Sequence, residues 1–165
     1  MKFLNYTWAT WFGTGFSPVA PGTAGSLAAI PFVWWFASQG FISLFIFACF
    51  TFVTGVAVCG YIMKDRNSDD PQIVVIDEVC GQAISLFLIP ASEFCSMNLR
   101  SFVIVLVSFG FFRLFDIWKP WPASYFDGKM HNKWGMMLDD VAAGIYSMIA
   151  TFGSYRFYDM FFNRG

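Results

Sequence analysis

The sequence predicts an all-α, multi-span helical membrane protein, with about five apolar helices behind an N-terminal amphipathic or interfacial segment. Three observations lead there. Hydrophobic residues make up 57% of the 165 positions and charged residues only 13%, about half the share of an ordinary soluble domain. Twenty-two Phe, seven Trp and six Tyr carry more aromatic surface than a core this small can hide, whereas a bilayer solvates it. The apolar residues also fall in runs separated by short polar or Gly/Pro-containing connections. The length implies one domain, residues 1–165. A net charge of -1 offers no basic field and excludes a nucleic-acid partner.

The elements follow in order. In the first dozen residues a helix would gather Leu4, Trp8, Trp11 and Phe12 on one side, suited to the headgroup layer. An aromatic belt ahead of the first span explains them equally well. This stretch has no compact apolar core, so no cleavable signal peptide is expected. The first apolar segment runs from about Gly25 to Ser38, and the second from Phe41 to Met63. The second is free of charge and long enough to cross the ~30 Å hydrocarbon layer. The third runs from Ile73 to about Ile89, stopped by Pro90. The fourth covers Leu99 to Trp118, before Pro120, and the last extends from near Met136 to about Phe162. Segments one and three are short for a span, so tilt, bilayer thinning and partial insertion stay open.

Folded up and down through these segments, the chain sorts its charges. Lys2, Lys64, Arg66, Arg113, Lys119, Lys129 and Lys133 share one face, leaving Arg100, Arg156 and Arg164 on the other. By the positive-inside rule the first face is cytoplasmic. Nine of the eleven acids go to that face as well, which a topology rule based on Lys and Arg does not explain. Four cysteines, three of them in or beside apolar runs, do not make a disulfide framework, and a lone His131 excludes a His-rich zinc site.

The acids cluster at segment ends. Asp77-Glu78 lies just inside the third segment, Asp139-Asp140 opens the fifth, and Asp69-Asp70 precedes Pro71. Arg113, Asp116 and Lys119 follow one another at three-residue spacing, putting both signs on one helical stripe. Carboxylates at membrane depth normally face a partner or a wet cavity. Small residues beside them, Gly81, Ala143 and Gly144, let helices approach and bring acids from different helices together. Hard oxygen ligands without His or Cys suit Mg2+. The same acids also suit plain helix starts, where they favour the macrodipole, and Arg113 with Asp116 suits a plain interfacial pair.

The loop from Gly13 to Ser26 is rich in Gly and Pro. Gly22, Thr23 and Ser26 stand at a helix start, where backbone N–H groups and hydroxyls can receive an anion; an N-cap at Thr23 is the simpler reading. No Lys follows the last glycine, so the loop is not a Walker A motif. Phosphate donors, fixed cations and a carboxylate nest at headgroup level together suit a phosphoryl group on a membrane lipid.

Four motifs in order then resemble the phosphatidylglycerophosphatase A family over nearly the whole chain. They are GTGFSPVAPGTAGSLAAIP from Gly13, DDPQIVVIDEVCGQ from Asp69, FRLFDIWKPWP from Phe112 and MLDDVAAG from Met137. The resemblance implies a Mg2+-dependent lipid phosphatase of the bacterial inner membrane, acting on phosphatidylglycerophosphate at the cytoplasmic side. It implies acidic pairs at Asp77-Glu78 and Asp139-Asp140 as metal ligands, with Asp77, Asp140 and Asp116 catalytic. Gly22, Thr23, Ser26, Arg113 and Lys119 would hold the substrate phosphate. Asp116 is open as a general base, a ligand or the orienter of Arg113 and Lys119. Attack by water and attack by an aspartate, through an aspartyl-phosphate, are both compatible. The rival class is a small membrane cation transporter with an acidic entrance. A transport pathway should carry ionisable groups through the full depth, and here they gather at one end. A lipid phosphotransferase of the CDP-alcohol type lacks its long DG…AR…G…D…D pattern.

Overall fold

The computed structural model describes residues 1–162. Among them are seven α-helices and no strand: α1 (Lys2–Ala9), α2 (Pro21–Ser38), α3 (Phe41–Arg66), α4 (Ile76–Ile84), α5 (Leu99–Trp118), α6 (Ala123–Lys129) and α7 (Lys133–Phe162), with 3-10 turns at Thr14–Phe16 and Ala91–Phe94. Arg164 lies outside the described residues.

The all-helical architecture is as expected, but about five spanning helices are not seen. Two helices, α3 and α5, are long and apolar enough to cross a membrane by length and composition. Their outer faces are apolar: α3 exposes Phe41, Ile42, Phe45, Ile46 and Phe50, and α5 exposes Phe102, Leu106, Leu114 and Ile117. The interior, in contrast, holds hydroxyls and an amide. Gln82 Nε2 donates to Ser85 Oγ and Ser108 Oγ at 3.2 Å each, and Ser147 Oγ donates to the Ser108 carbonyl at 3.1 Å. Polar bonds inside and apolar side chains outside are the pattern a lipid solvent favours, because lipid gives helices little hydrophobic reason to associate.

The third expected segment departs most. Only Ile76–Ile84 is helical, and a nine-residue helix is too short to cross the hydrocarbon layer. Its start is set by Val75, whose backbone N–H donates to the Ala9 carbonyl at 2.9 Å and so leaves the helix. At its end Ser85 Oγ donates to the Gln82 carbonyl at 2.6 Å, offering the backbone a bond that competes with the helix. Every residue of α4 except Glu78 is buried. It packs against α2, α3, α5 and α7, as the central post of the bundle.

Local capping explains two other differences. Helix α7 begins at Lys133 rather than near Met136, because Asn132 Oδ1 accepts the backbone N–H groups of Trp134 (2.9 Å) and Gly135 (3.1 Å). Asp139 and Asp140 therefore sit about two turns inside the helix, beyond the reach of a helix-start role. Helix α1 stops at Ala9, as Thr10 Oγ1 bonds the Tyr6 carbonyl and Trp11, Phe12 and Gly13 turn left-handed. Leu4, Trp8, Trp11 and Phe12 thus do not share a helical face. Trp11 is buried against Phe32 and Phe47, while α1 lies along α3 with Trp8 Nε1 donating to Thr54 Oγ1 at 2.9 Å.

Helices α4 and α7 approach to backbone contact. A Cβ at Gly144 would lie 2.7 Å from the Gly81 carbonyl oxygen and 3.1 Å from Gly81 Cα. Replacing Gly144 by Val forces the helices apart and should cost roughly 1–3 kcal/mol or more. Gly110, with nothing within 4 Å of a built Cβ, should accept Ala without loss. Thermal unfolding in detergent micelles checks the pair, with a lowered midpoint expected for Gly144→Val alone.

Candidate active site

The starts of α2, α4 and α7, the end of α5 and the α6 connection enclose a cavity of about 640 Å³. Its walls bring together residues that are up to about 120 positions apart: Gly22, Asp77, Glu78, Arg113, Asp116, Lys119, Asp139 and Asp140 all line it. The lining adds Asp69, Asp70 and Gln72 from the connection before α4, Asp127 from α6, and His131 and Asn132 from the turn before α7.

Three of the acids converge. Asp77, Glu78 and Asp140 each offer a carboxylate oxygen within 4.8 Å of the others. Asp77 Oδ1 accepts the Glu78 backbone N–H at 3.1 Å, which pins the first side chain to the start of α4. Glu78 Oε2 is buried and has no hydrogen-bond partner among the described residues. A buried carboxylate oxygen left unpaired is costly, and a cation resolves it. A hard, all-oxygen donor set of this kind fits a divalent ion such as Mg2+.

Asp139 stands apart from that trio. Its Oδ1 accepts the Asp140 backbone N–H at 3.0 Å, and its Oδ2 accepts from Lys119 Nζ at 2.8 Å. Lys119 Nζ also reaches Asp127 Oδ1 at 2.5 Å. Lys119 follows the last turn of α5 in a left-handed conformation, φ 46°, which carries its side chain back across the cavity. One ammonium thereby ties α5 to both α6 and α7. Burial works against that charge, but the bonds to Asp127 and Asp139 outweigh it and hold Lys119 above the usual ammonium range.

The other cation is differently engaged. Arg113 Nη1 lies 2.6 Å from Asp116 Oδ2, while Arg113 Nε is buried with no hydrogen-bond partner among the described residues. Gly22 is the residue that makes room for it. A Cβ there would fall 3.2 Å from Arg113 Nη1 and would collide with Glu78 Oε1. The rest of the expected phosphate loop behaves otherwise. Ser26 is fully buried and its hydroxyl donates to the Gly22 carbonyl at 2.8 Å inside α2, and neither Ser26 nor Thr23 lines the cavity. An anion-facing Ser26 is thus corrected to a helix-internal bond.

Asp127, His131, Asn132 and Gln72 were not singled out as site residues by sequence reasoning. Gln72, His131 and Asn132 lie in polar connections and Asp127 in the short helix α6, none with a periodic signal; for the last three the available signal was only that Pro120 and Gly135 bracket a short charged stretch between two apolar runs.

The family model described as Phosphatidylglycerophosphatase A matches residues 7–155. A relative named phosphatidylglycerophosphatase A from Escherichia coli (strain K12) is 37% identical over 139 residues, covering 84% of this chain and 76% of the relative. One of the same name from Haemophilus influenzae (strain Rd) is 39% identical over 145 residues, covering 87% of this chain and 84% of the relative. No solved structure matches the chain.

The electrostatics of α4, which does not span, carry a stability consequence. Burial, with the charges of Asp140 and Asp116, pushes Glu78 up to about 8 from the ordinary 4.5, against the opposing pull of Asp77 and Arg113. Asp77 is likewise raised, chiefly by burial and then by Glu78. Between 4.5 and 8 the folded protein holds a proton that the unfolded chain has released, so cation-free stability should fall as pH rises across that window. A divalent cation needs the ionised form and should restore more stability at pH 8 than at pH 5.5. Unfolding midpoints with and without Mg2+ across this range test the sign.

Proposed function

The chain belongs to the phosphatidylglycerophosphatase A family, and from that premise we propose that it hydrolyses phosphatidylglycerophosphate to phosphatidylglycerol and inorganic phosphate. We further propose that the reaction requires Mg2+ and runs at the cytoplasmic face of a bacterial inner membrane. The observation that carries the reading is the convergence of Asp77, Glu78 and Asp140 next to Arg113 in one open cavity. A phosphate monoester hydrolyses extremely slowly unaided, so a site for it has to neutralise charge and position the nucleophile.

The residues divide the task. Asp77, Glu78 and Asp140 would hold the metal, and Mg2+ bound there supplies positive charge against the phosphoryl oxygens and favours ionisation of water. Arg113 is the cation suited to the phosphoryl group, because a guanidinium can give two parallel N–H bonds and its Nε is unspent. Asp116 holds Arg113 in place and, standing outside the trio, takes the proton of the attacking water. Lys119 and Asp139 are committed to each other, so their role is to fix the wall of the site. Gly22 leaves the space in which Glu78 and Arg113 meet. The bilayer delivers the substrate, whose acyl chains stay among the apolar faces of α3 and α5 while the headgroup enters the cavity.

Topology supports the same side. Lys64 and Arg66 end α3, Lys119 follows α5 and Lys133 starts α7, all at the cavity end, against Arg100 at the start of α5 and Arg156 late in α7. A transporter is not favoured, because among the described residues the buried interior beyond the acids holds serines, threonines and Gln82 but no charged side chain.

Phosphate release from phosphatidylglycerophosphate in detergent, with Mg2+ and with chelator, tests the proposal. Activity should require the metal. Asp77→Asn and Asp140→Asn should lower kcat by at least about 10³-fold with normal expression, while Asp139→Asn, which removes only a partner of Lys119, should retain measurable turnover. Full activity in both Asp77→Asn and Asp140→Asn would overturn the nest.

A further inference from the structure

The phosphatase reading leaves one chemical demand unmet. Cleaving the lipid's phosphate ester expels a primary alkoxide, a poor leaving group that needs a proton as the bond breaks. The cavity offers few donors. The trio of acids must be ionised to hold a cation, Asp116 receives a proton instead of giving one, and a guanidinium does not release its own. Lys119 is locked between Asp127 and Asp139. His131 remains, on the cavity wall and in none of these roles. An imidazole is the side-chain type that both carries and yields a proton near neutral pH.

The local geometry suits that duty. His131 sits in the short turn between α6 and α7, with the backbone fixed on both sides: Met130 N–H donates to the Phe126 carbonyl at 3.1 Å, and Asn132 caps α7. A Cβ at Gly135 would collide with the Met130 carbonyl, so the turn folds tightly onto the helix. Asp77 and Asp140 are only 7% and 5% exposed, whereas His131 is exposed. A phosphoryl group drawn to the buried acids would leave its ester oxygen and glycerol on the exposed side of the cavity, which His131 lines.

We propose that His131 is the general acid for the leaving group, an inference that rests on the phosphatase reading. As the bond from phosphorus to the glycerol oxygen breaks, its electron pair stays on that oxygen, which takes the ring N–H proton. The water oxygen forms the new bond to phosphorus and its proton passes to Asp116. Solvent at the mouth then reprotonates the imidazole.

The test uses the full chain in detergent with Mg2+ and two substrates: phosphatidylglycerophosphate, and its analogue with sulfur in place of the bridging ester oxygen. A thiolate leaves without a proton. His131→Gln should lose about 10²–10⁴-fold in kcat on the oxygen ester and less than about tenfold on the sulfur analogue. His131→Asn should behave alike, and both should keep the wild-type unfolding midpoint. Equal losses on the two substrates, or no loss on the oxygen ester, overturn the proposal. A wild-type protein that hydrolyses neither substrate overturns the phosphatase reading, and this inference with it.

Discussion

The backbone contact between Gly81 and Gly144 is the constraint on which the rest depends. Each glycine lies four residues, one helical turn, beyond an acid: Gly81 beyond Asp77 and Gly144 beyond Asp140. Because α4 and α7 both start at the cavity and run away from it, touching at the glycines sets the separation of the acids one turn earlier. A Cβ at Gly81 would lie 2.7 Å from the Asp140 carbonyl oxygen, so the two helices have no slack at this level. Gly22 does the same for a third helix, letting the start of α2 close over Glu78 and Arg113. Three positions without side chains therefore shape a site whose chemistry belongs to charged ones.

That arrangement explains why α4 is short and central. A helix carrying two acids at its first turn cannot face lipid, and one surrounded by four others needs no apolar stripe of its own. The bundle is held beneath the acids by Gln82, Ser85, Ser108 and Ser147, whose bonds link α4, α5 and α7. Hydrogen bonds of this kind orient helices where lipid supplies little driving force. The charged cavity and the polar network occupy successive levels of the same post.

The legible part of the fold was the part that repeats. The apolar runs Phe41 to Met63 and Leu99 to Trp118 match α5 at both ends and α3 at its start, and fall three residues short of α3's end at Arg66. The third segment was less legible because Ile73–Ile89 is apolar apart from Asp77, Glu78, Gln82 and Ser85, and composition does not distinguish a buried nine-residue helix plus turns from a span. What broke it, the Val75 bond to Ala9 and the Ser85 hydroxyl, are tertiary or single-atom effects. In the site, the grouping of Asp77, Glu78, Asp140, Arg113 and Asp116 was readable from small residues beside acids and from i,i+3 spacing. The engagement of Lys119 by Asp127 was not, since it depends on a left-handed residue beyond α5 and on a helix, α6, that carries no periodic signal. Ser26 misled for a related reason: in a helix a serine hydroxyl has a carbonyl one turn back, and that bond removed it from the cavity.

Charge in the cavity orders the events of the proposed reaction. Eight carboxylates line it against two fixed cations, and one of those cations is already shared by two of the carboxylates. A lipid phosphate monoester is itself an anion, so in the proposed reaction it has to enter a cavity whose ionised carboxylates oppose it. Ions near a low-dielectric wall feel such a field more strongly than in water. A divalent cation on the trio would reverse the local sign and leave Arg113 beside it as a second attraction. In the proposed reaction metal and substrate would therefore favour each other's binding, and by linkage the favour would be mutual. In the proposed reaction, the excess of acid that looks hostile to a phosphatase would make substrate affinity conditional on the metal.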